Sequence, residues 1–282
     1  MILDIALDAL LDSLKILPFL FAAYLAIEWI ESKAEERTVA LVNRAGSLGP
    51  VFGGLLGMIP QCGFSAATAN LYATGIITRG TILAVFLSTS DEMLPILISR
   101  SVPGGFILKV LLFKALAGIL AGLTIDALET HFFPHKQRHI HDMCEQEGCR
   151  CEDGILKSAV RHTLRIFLFL LAASFAVGLA VELLGTDRLS LFVLNRPFVG
   201  EALSALIGLI PNCAASVVIT ELYLQGGMSA GAMLSGLLVG SGVGLLVLFR
   251  MNHDLRDSLL TLGILYALGV FFGSLAEFLP IF

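Results

Sequence analysis

One stretch occurs twice in this chain, and each copy carries a proline where an apolar helix would otherwise run on. The first copy is Gly49-Pro-Val-Phe-Gly-Gly-Leu-Leu-Gly-Met-Ile-Pro-Gln-Cys-Gly-Phe-Ser65, and the second is Gly200-Glu-Ala-Leu-Ser-Ala-Leu-Ile-Gly-Leu-Ile-Pro-Asn-Cys-Ala-Ala-Ser216. Pro211 lies 151 positions after Pro60 (211 − 60), and the same offset relates Cys62 to Cys213, Ser65 to Ser216, Tyr72 to Tyr223, Gly75 to Gly226 and Gly80 to Gly231. Hydrocarbon offers backbone amides no water, so an interrupted apolar segment survives only where protein or a wet cavity satisfies the freed groups. Paired interruptions therefore point to a site.

Composition supports the membrane premise. Of 282 residues 56% are hydrophobic and 15% charged, against roughly 25% charged in a soluble domain. The net charge of −5, with basic residues at segment ends instead of along a stripe, argues against a nucleic-acid partner. Asp4, Asp8 and Asp12 stand where a signal peptide would carry basic residues, so the first apolar segment is expected to remain as a helix. Its expected partners are membrane lipid and a small inorganic or organometallic substrate, and a homodimer is left open. There is no phosphate-binding loop, no Ser-His-Asp arrangement and no His-Glu-x-x-His, so the chain reads as neither an ATP-driven pump nor an enzyme, and no cofactor is expected.

Taken in order, the apolar segments fall near 13–30, 46–59, 63–76, 80–98 and 105–125, then near 162–184, 198–210, 214–226, 229–249 and 259–279. Gly118 and Gly122 match Gly269 and Gly273 at the same offset, so the duplication reaches the last helix. The expected fold is an all-α polytopic membrane protein: a first membrane repeat over 1–125, a polar loop over 126–158 and a second repeat over 159–282. The paired breaks at Pro60 and Pro211 read either as broken helices or as re-entrant hairpins. In both cases each half crosses an odd number of times, so the repeats must have inverted topology. Lys33, Arg37, Arg44, Arg79, Arg250 and Arg256 gather on the side of the central loop, which the positive-inside rule makes cytoplasmic and which puts both termini outside. Inverted repeats whose discontinuous helices meet near the midplane belong to secondary transporters working by alternating access.

Several residues could carry the chemistry. Proline removes a donor and favours a helix start after it, so the amides after Pro60 and Pro211 would face a cavity at the positive ends of half-helices. Gln61 and Asn212 can donate and accept there, and the thiols of Cys62 and Cys213 are soft ligands, though a free cysteine is often only a small buried apolar residue. Ser65 and Ser216 extend the lining. Asn70 and Glu221 are repeat mates; together they could coordinate a cation or proton, or serve packing and an ion pair with Arg79 or Arg250. Asp91 and Glu92 lie inside an apolar run, at about 2.5 to 3.5 kcal/mol each if charged, and suit a coupling or proton-carrying role unless the run ends early and they cap a helix at the surface. Lys114, in mid-helix, is their candidate counter-ion. The loop holds His131, His135, His139, His141, Cys144, Cys149 and Cys151, a tract that reads either as metal capture or as an unstructured linker.

Ile59-Pro60-Gln61-Cys62-Gly63, Ile210-Pro211-Asn212-Cys213, the polar loop between them and the duplicated five-segment halves together resemble the ten-helix heavy-metal exporter family, also labelled arsenic efflux permeases. The resemblance implies export of an arsenical or heavy-metal ion across a bacterial inner (cytoplasmic) membrane. Some relatives are labelled manganese transporters. Soft ions would prefer Cys62 and Cys213, whereas manganese would prefer Asp91, Glu92, Asn70 and Glu221. Two other readings fit the residues: half-helix dipoles converging on a small anion, and a metal-sensing membrane receptor or scaffold whose His/Cys loop binds metal without flux.

Overall fold

A computed structural model describes residues 48–59, 62–90, 93–132, 198–252 and 254–279, with scattered helical positions between Leu7 and Leu25 and between Val160 and Phe175. Among the described residues all regular structure is helical: α1 (Gly49–Gly57), α2 (Cys62–Ala73), α3 (Arg79–Ser88), α4 (Met93–Ser99) and α5 (Gly104–Phe132), then α6 (Val199–Gly208), α7 (Cys213–Leu224), α8 (Ala230–Val239), α9 (Gly244–Met251) and α10 (Leu255–Phe278).

The 151-residue offset is reproduced in the local chemistry that starts and stops these helices. α2 ends in a Schellman turn, with Ile76 N donating to Leu71 O at 3.0 Å and Gly75 N to Tyr72 O at 2.9 Å; α7 ends the same way through Gly227 N to Leu222 O at 2.8 Å and Gly226 N to Tyr223 O at 2.9 Å. Gly75 and Gly226 have φ of 77° and 75°, a conformation that side chains with a Cβ resist. Thr78 then caps α3 by accepting from Thr81 N, and Ser229 caps α8 by accepting from Ala232 N, both at 3.1 Å. A carboxylate from a neighbouring helix completes each start: Gly80 N donates to Asp126 Oδ1 and Gly231 N to Glu277 Oε2, both at 2.8 Å.

The continuous apolar segments expected at 80–98 and 229–249 are each interrupted in the structure. α3 stops at Ser88 and α4 resumes at Met93, while α8 stops at Val239 and α9 resumes at Gly244. At the first interruption Ser88 Oγ and Thr89 Oγ1 both donate back to Val85 O, at 3.1 and 2.7 Å, beside the helical bond from Thr89 N at 3.0 Å, and Ser90 Oγ donates to Met58 O at 2.8 Å. The second contains Gly242 at φ 55°. α6 and α7 are likewise separated by Leu209–Asn212 around Pro211.

Helices α1, α3 and α5 pack together, as do their mates α6, α8 and α10. The two groups are joined at the centre by α3 against α8 and, reciprocally, by α2 against α9 and α7 against α4. The reciprocity extends to side chains: Tyr72 donates to Asp257 Oδ2 at 2.9 Å, and its mate Tyr223 stacks on Phe106, the mate of Asp257, at 5.8 Å between ring centroids. Glycines let the helix backbones approach closely. A Cβ added to Gly80 would lie 2.1 Å from Gly122 O, and one added to Gly231 would lie 2.8 Å from Gly273 O, the kind of approach that packs membrane helices without side chains between them.

Among the described residues four stretches are long and apolar enough to cross a membrane: 79–99, 104–131, 230–251 and 255–278. The two interrupted ones are 75% and 83% buried, whereas those on α5 and α10 are 39% and 33% buried. The interrupted spans therefore form the centre and α5 and α10 the flanks. Leu108, Leu112, Leu116, Leu120 and Leu123 form an exposed stripe along α5, which marks a lipid-facing surface. Along α10, Asp257 meets the start of α3 and Glu277 meets the start of α8. Twenty residues of helix separate these positions by about 30 Å, close to the hydrocarbon thickness of a bilayer.

Candidate functional site

The interruptions of the two central spans place polar groups in the interior. Ser88, Thr89 and Ser90 are 0 to 2% exposed and Met93 is 1% exposed, so the described chain on both sides of Asp91 and Glu92 is buried. Asp91 and Glu92 themselves lie outside the described residues, as do Pro60, Gln61, the side chains of Cys62 and Cys213, and His135, His139, His141, Cys144, Cys149 and Cys151. The backbones of Cys62 and Cys213 open α2 and α7. His131 is exposed near the end of α5. Among the described residues no group of three His, Cys, Asp or Glu is placed to hold a metal.

Lys114 is brought to the centre. It is 1% exposed, and its Nζ donates to Thr89 O at 2.5 Å and to Leu237 O at 2.6 Å. Thr89 follows the last residue of α3 and Leu237 is in the last turn of α8, so one amino group ties together the carbonyl ends of both interrupted helices. Those ends carry the negative half of the helix dipole and leave carbonyls without intrahelical partners. The repeat mate of Lys114 is Leu265, fully buried in the apolar core.

The remaining expected residues separate into two settings. Ser65 is buried on α2, where a Cβ added to Gly244 would lie 2.8 Å from Ser65 Cβ, so the start of α9 presses directly on that turn. Asn70 is also fully buried on α2, and neither its amide oxygen nor its amide nitrogen has a hydrogen-bond partner among the described residues. Asn212 is half-buried ahead of α7, with its carbonyl accepting from Ala215 N at 3.2 Å, and Ser216 is buried one turn on, its carbonyl accepting from Thr220 Oγ1 at 2.7 Å. Glu221 is not hydrogen-bonded to Asn70. Its carboxylate accepts from Arg100 through Nε and Nη2 at 2.9 to 3.0 Å, a pairing with neither Arg79 nor Arg250.

Arg79 instead belongs to a second polar cluster. Its guanidinium contacts Glu129 on α5 and Asp257 on α10, and Asp257 also accepts from Tyr72 at 2.9 Å and from Asn252 Nδ2 at 2.7 Å. This knot fastens α2, α3, α5 and α10 at one end of the molecule.

Sequence reasoning passed over one residue of interest. Glu201 is 1% exposed on α6, with Oε2 unpartnered among the described residues, while its backbone carbonyl accepts from Ser235 Oγ at 2.9 Å. The signal was present, since Glu201 is the single acid in the apolar stretch 198–210. Ser204, one turn on, and Ser241, in the α8–α9 interruption, are further buried hydroxyls without partners among the described residues.

With this geometry in hand, comparison with known families matches residues 2–200 to the family described as "Putative, 10TM heavy-metal exporter". The match covers more than two thirds of the chain and ends at the start of α6. No curated protein matches the chain. No solved structure matches it either.

Proposed function

The chain belongs to the ten-transmembrane heavy-metal exporter family, and from that premise we propose that it is a secondary-active exporter of an arsenical or heavy-metal ion working by alternating access. It is a membrane protein of an exporter family, which is not an enzyme class. The observation that carries the reading is the pair of interrupted central spans, α3–α4 and α8–α9, which pack on each other and turn polar backbone and hydroxyl groups inward where an uninterrupted helix would present none. Such discontinuities are tolerated in a bilayer where they line a path.

In this reading the two halves are inverted repeats. The start of α3 and the start of α8 at opposite ends of α10 support the inversion, and so does the reciprocal packing of α2 on α9 and α7 on α4. The Pro-x-Cys turns at Pro60 and Pro211, each completing a broken helix or a re-entrant hairpin, bring Gln61, Cys62, Ser65, Asn212, Cys213 and Ser216 to the substrate, while Asp91 or Glu92 titrates during the cycle. The Arg79 end is cytoplasmic, in the inner membrane, with the central loop on the same side and both termini outside.

A hard-cation version of the same reading, with manganese as substrate, is favoured by one observation: the buried amide of Asn70 offers a carbonyl oxygen that no donor among the described residues claims. Uptake of radiolabelled arsenite and of manganese into everted vesicles separates the versions. With a soft substrate, Cys62→Ser/Cys213→Ser abolishes arsenite uptake; with a hard one, manganese uptake survives that change and is lost in Asn70→Leu. Absence of flux for both ions in wild-type vesicles, with metal bound by the central loop alone, overturns the transporter reading in favour of a sensor.

A further inference from the structure

Lys114 stands where two interrupted helices end. Its Nζ lies 2.5 Å from Thr89 O and 2.6 Å from Leu237 O, in an interior position 1% exposed. We propose that these carbonyls form a monovalent-cation cradle at the centre of the molecule, and that the ammonium of Lys114 is its built-in occupant, standing where a free alkali-metal or ammonium ion would otherwise bind.

The chemistry of the cradle favours a cation. Both oxygens come from the C-terminal ends of helices, whose carbonyls lack intrahelical partners and carry the negative pole of the helix dipole. Membrane transporters with discontinuous helices use such ends to hold a coupling cation. A lysine ammonium is a compact charge with three donors and no acceptor, so it can replace a small cation among carbonyls and cannot leave. Only one half supplies it: the mate of Lys114 is Leu265, and the mates of Thr89 and Leu237 are Gly240 and Phe86. The cradle is thus a specialised feature laid over the repeat.

If the proposed export function holds, on which this corollary rests, flux needs neither Na⁺ nor K⁺. The cradle itself is tested without flux. The full chain and its Lys114→Ala variant are purified in parallel in methylammonium chloride and in choline chloride at equal ionic strength, and thermal unfolding is followed in each. Choline is too large for the vacated space. The expected result is a variant less stable than wild type in choline and raised by at least about 3 °C, saturably, in methylammonium, with wild type indifferent to the exchange. Purification is a readout too: monodisperse variant recovered in methylammonium but not in choline supports the cradle. Equal behaviour of the variant in both salts, whether equally stable or equally unrecoverable, overturns it, and so does equal stabilisation of wild type. Asp91 and Glu92 follow Thr89 by two and three residues, so the exchange is repeated in Lys114→Ala/Asp91→Asn/Glu92→Gln. Persistence of the methylammonium effect assigns the cation to the carbonyls, and its disappearance assigns it to the carboxylates and overturns the proposal.

Discussion

Asn70 is a residue held at a cost. A buried amide without partners carries a penalty of about 1 to 3 kcal/mol, and both polar atoms of Asn70 lack a partner among the described residues. Asn70→Leu, similar in size and free of polar atoms, is therefore expected to raise resistance to unfolding by about 1 to 2 kcal/mol while lowering transport at least tenfold, measured by denaturant titration in detergent and by vesicle uptake. A gain in stability with full activity would reduce Asn70 to an imperfection of packing. Its mate Glu221 shows how far a sequence can mislead at this scale. The equivalence of 70 and 221 is written in the repeat, but a repeat says nothing about which side chain swings to which neighbour, and Arg100 lies 121 positions away from Glu221. Exposed on the arginine side at 59%, that pair contributes at most about 1 kcal/mol, and Arg100→Gln is expected to leave folding almost unchanged in a thermal melt.

Among elements, the contrast between glycines gives a sharp test. Gly122 sits where the α3 backbone crosses α5: a Cβ there would lie 2.5 Å from Gly80 O and 2.8 Å from Pro50 Cβ, whereas one at Gly105 meets nothing within 4 Å. Gly122→Ala must push the two helices apart, at about 1 to 3 kcal/mol, and Gly273→Ala should do the same to α8 and α10. Gly105→Ala, on the same helix as Gly122, should be neutral or stabilising by up to about 1 kcal/mol; thermal melts of the three variants check the order. The glycine offsets and the ends of the segments 63–76 and 214–226 were legible in the sequence, because glycine acts on its own backbone. The interruptions of the two central spans were not. Ser88, Thr89 and Ser90 are compatible with a helix, and the bond from Ser90 Oγ to Met58 O reaches across 32 positions, a tertiary contact that no local pattern announces.

For the whole molecule, the Arg79–Glu129–Asp257 knot joins the first half to the second at one end. Under alternating access such a fastening holds one conformation, so Asp257→Asn should increase labelling of an engineered cysteine near that end by a membrane-impermeant maleimide, and Asp257→Glu, which keeps the charge facing Arg79, should retain protection. Unchanged labelling in Asp257→Asn would make the knot a structural tie alone. The cross-packing of α2 on α9 and α4 on α7 also bears on how the protein is made. When the ribosome has finished the first half, the helices that will form the centre still wait for covers encoded some 150 codons downstream, so insertion cannot be completed helix by helix and the newborn first half needs shelter from proteases until its mate arrives. Cutting the gene within the central loop puts that dependence in view: each fragment produced alone should be degraded, and the two produced together should survive.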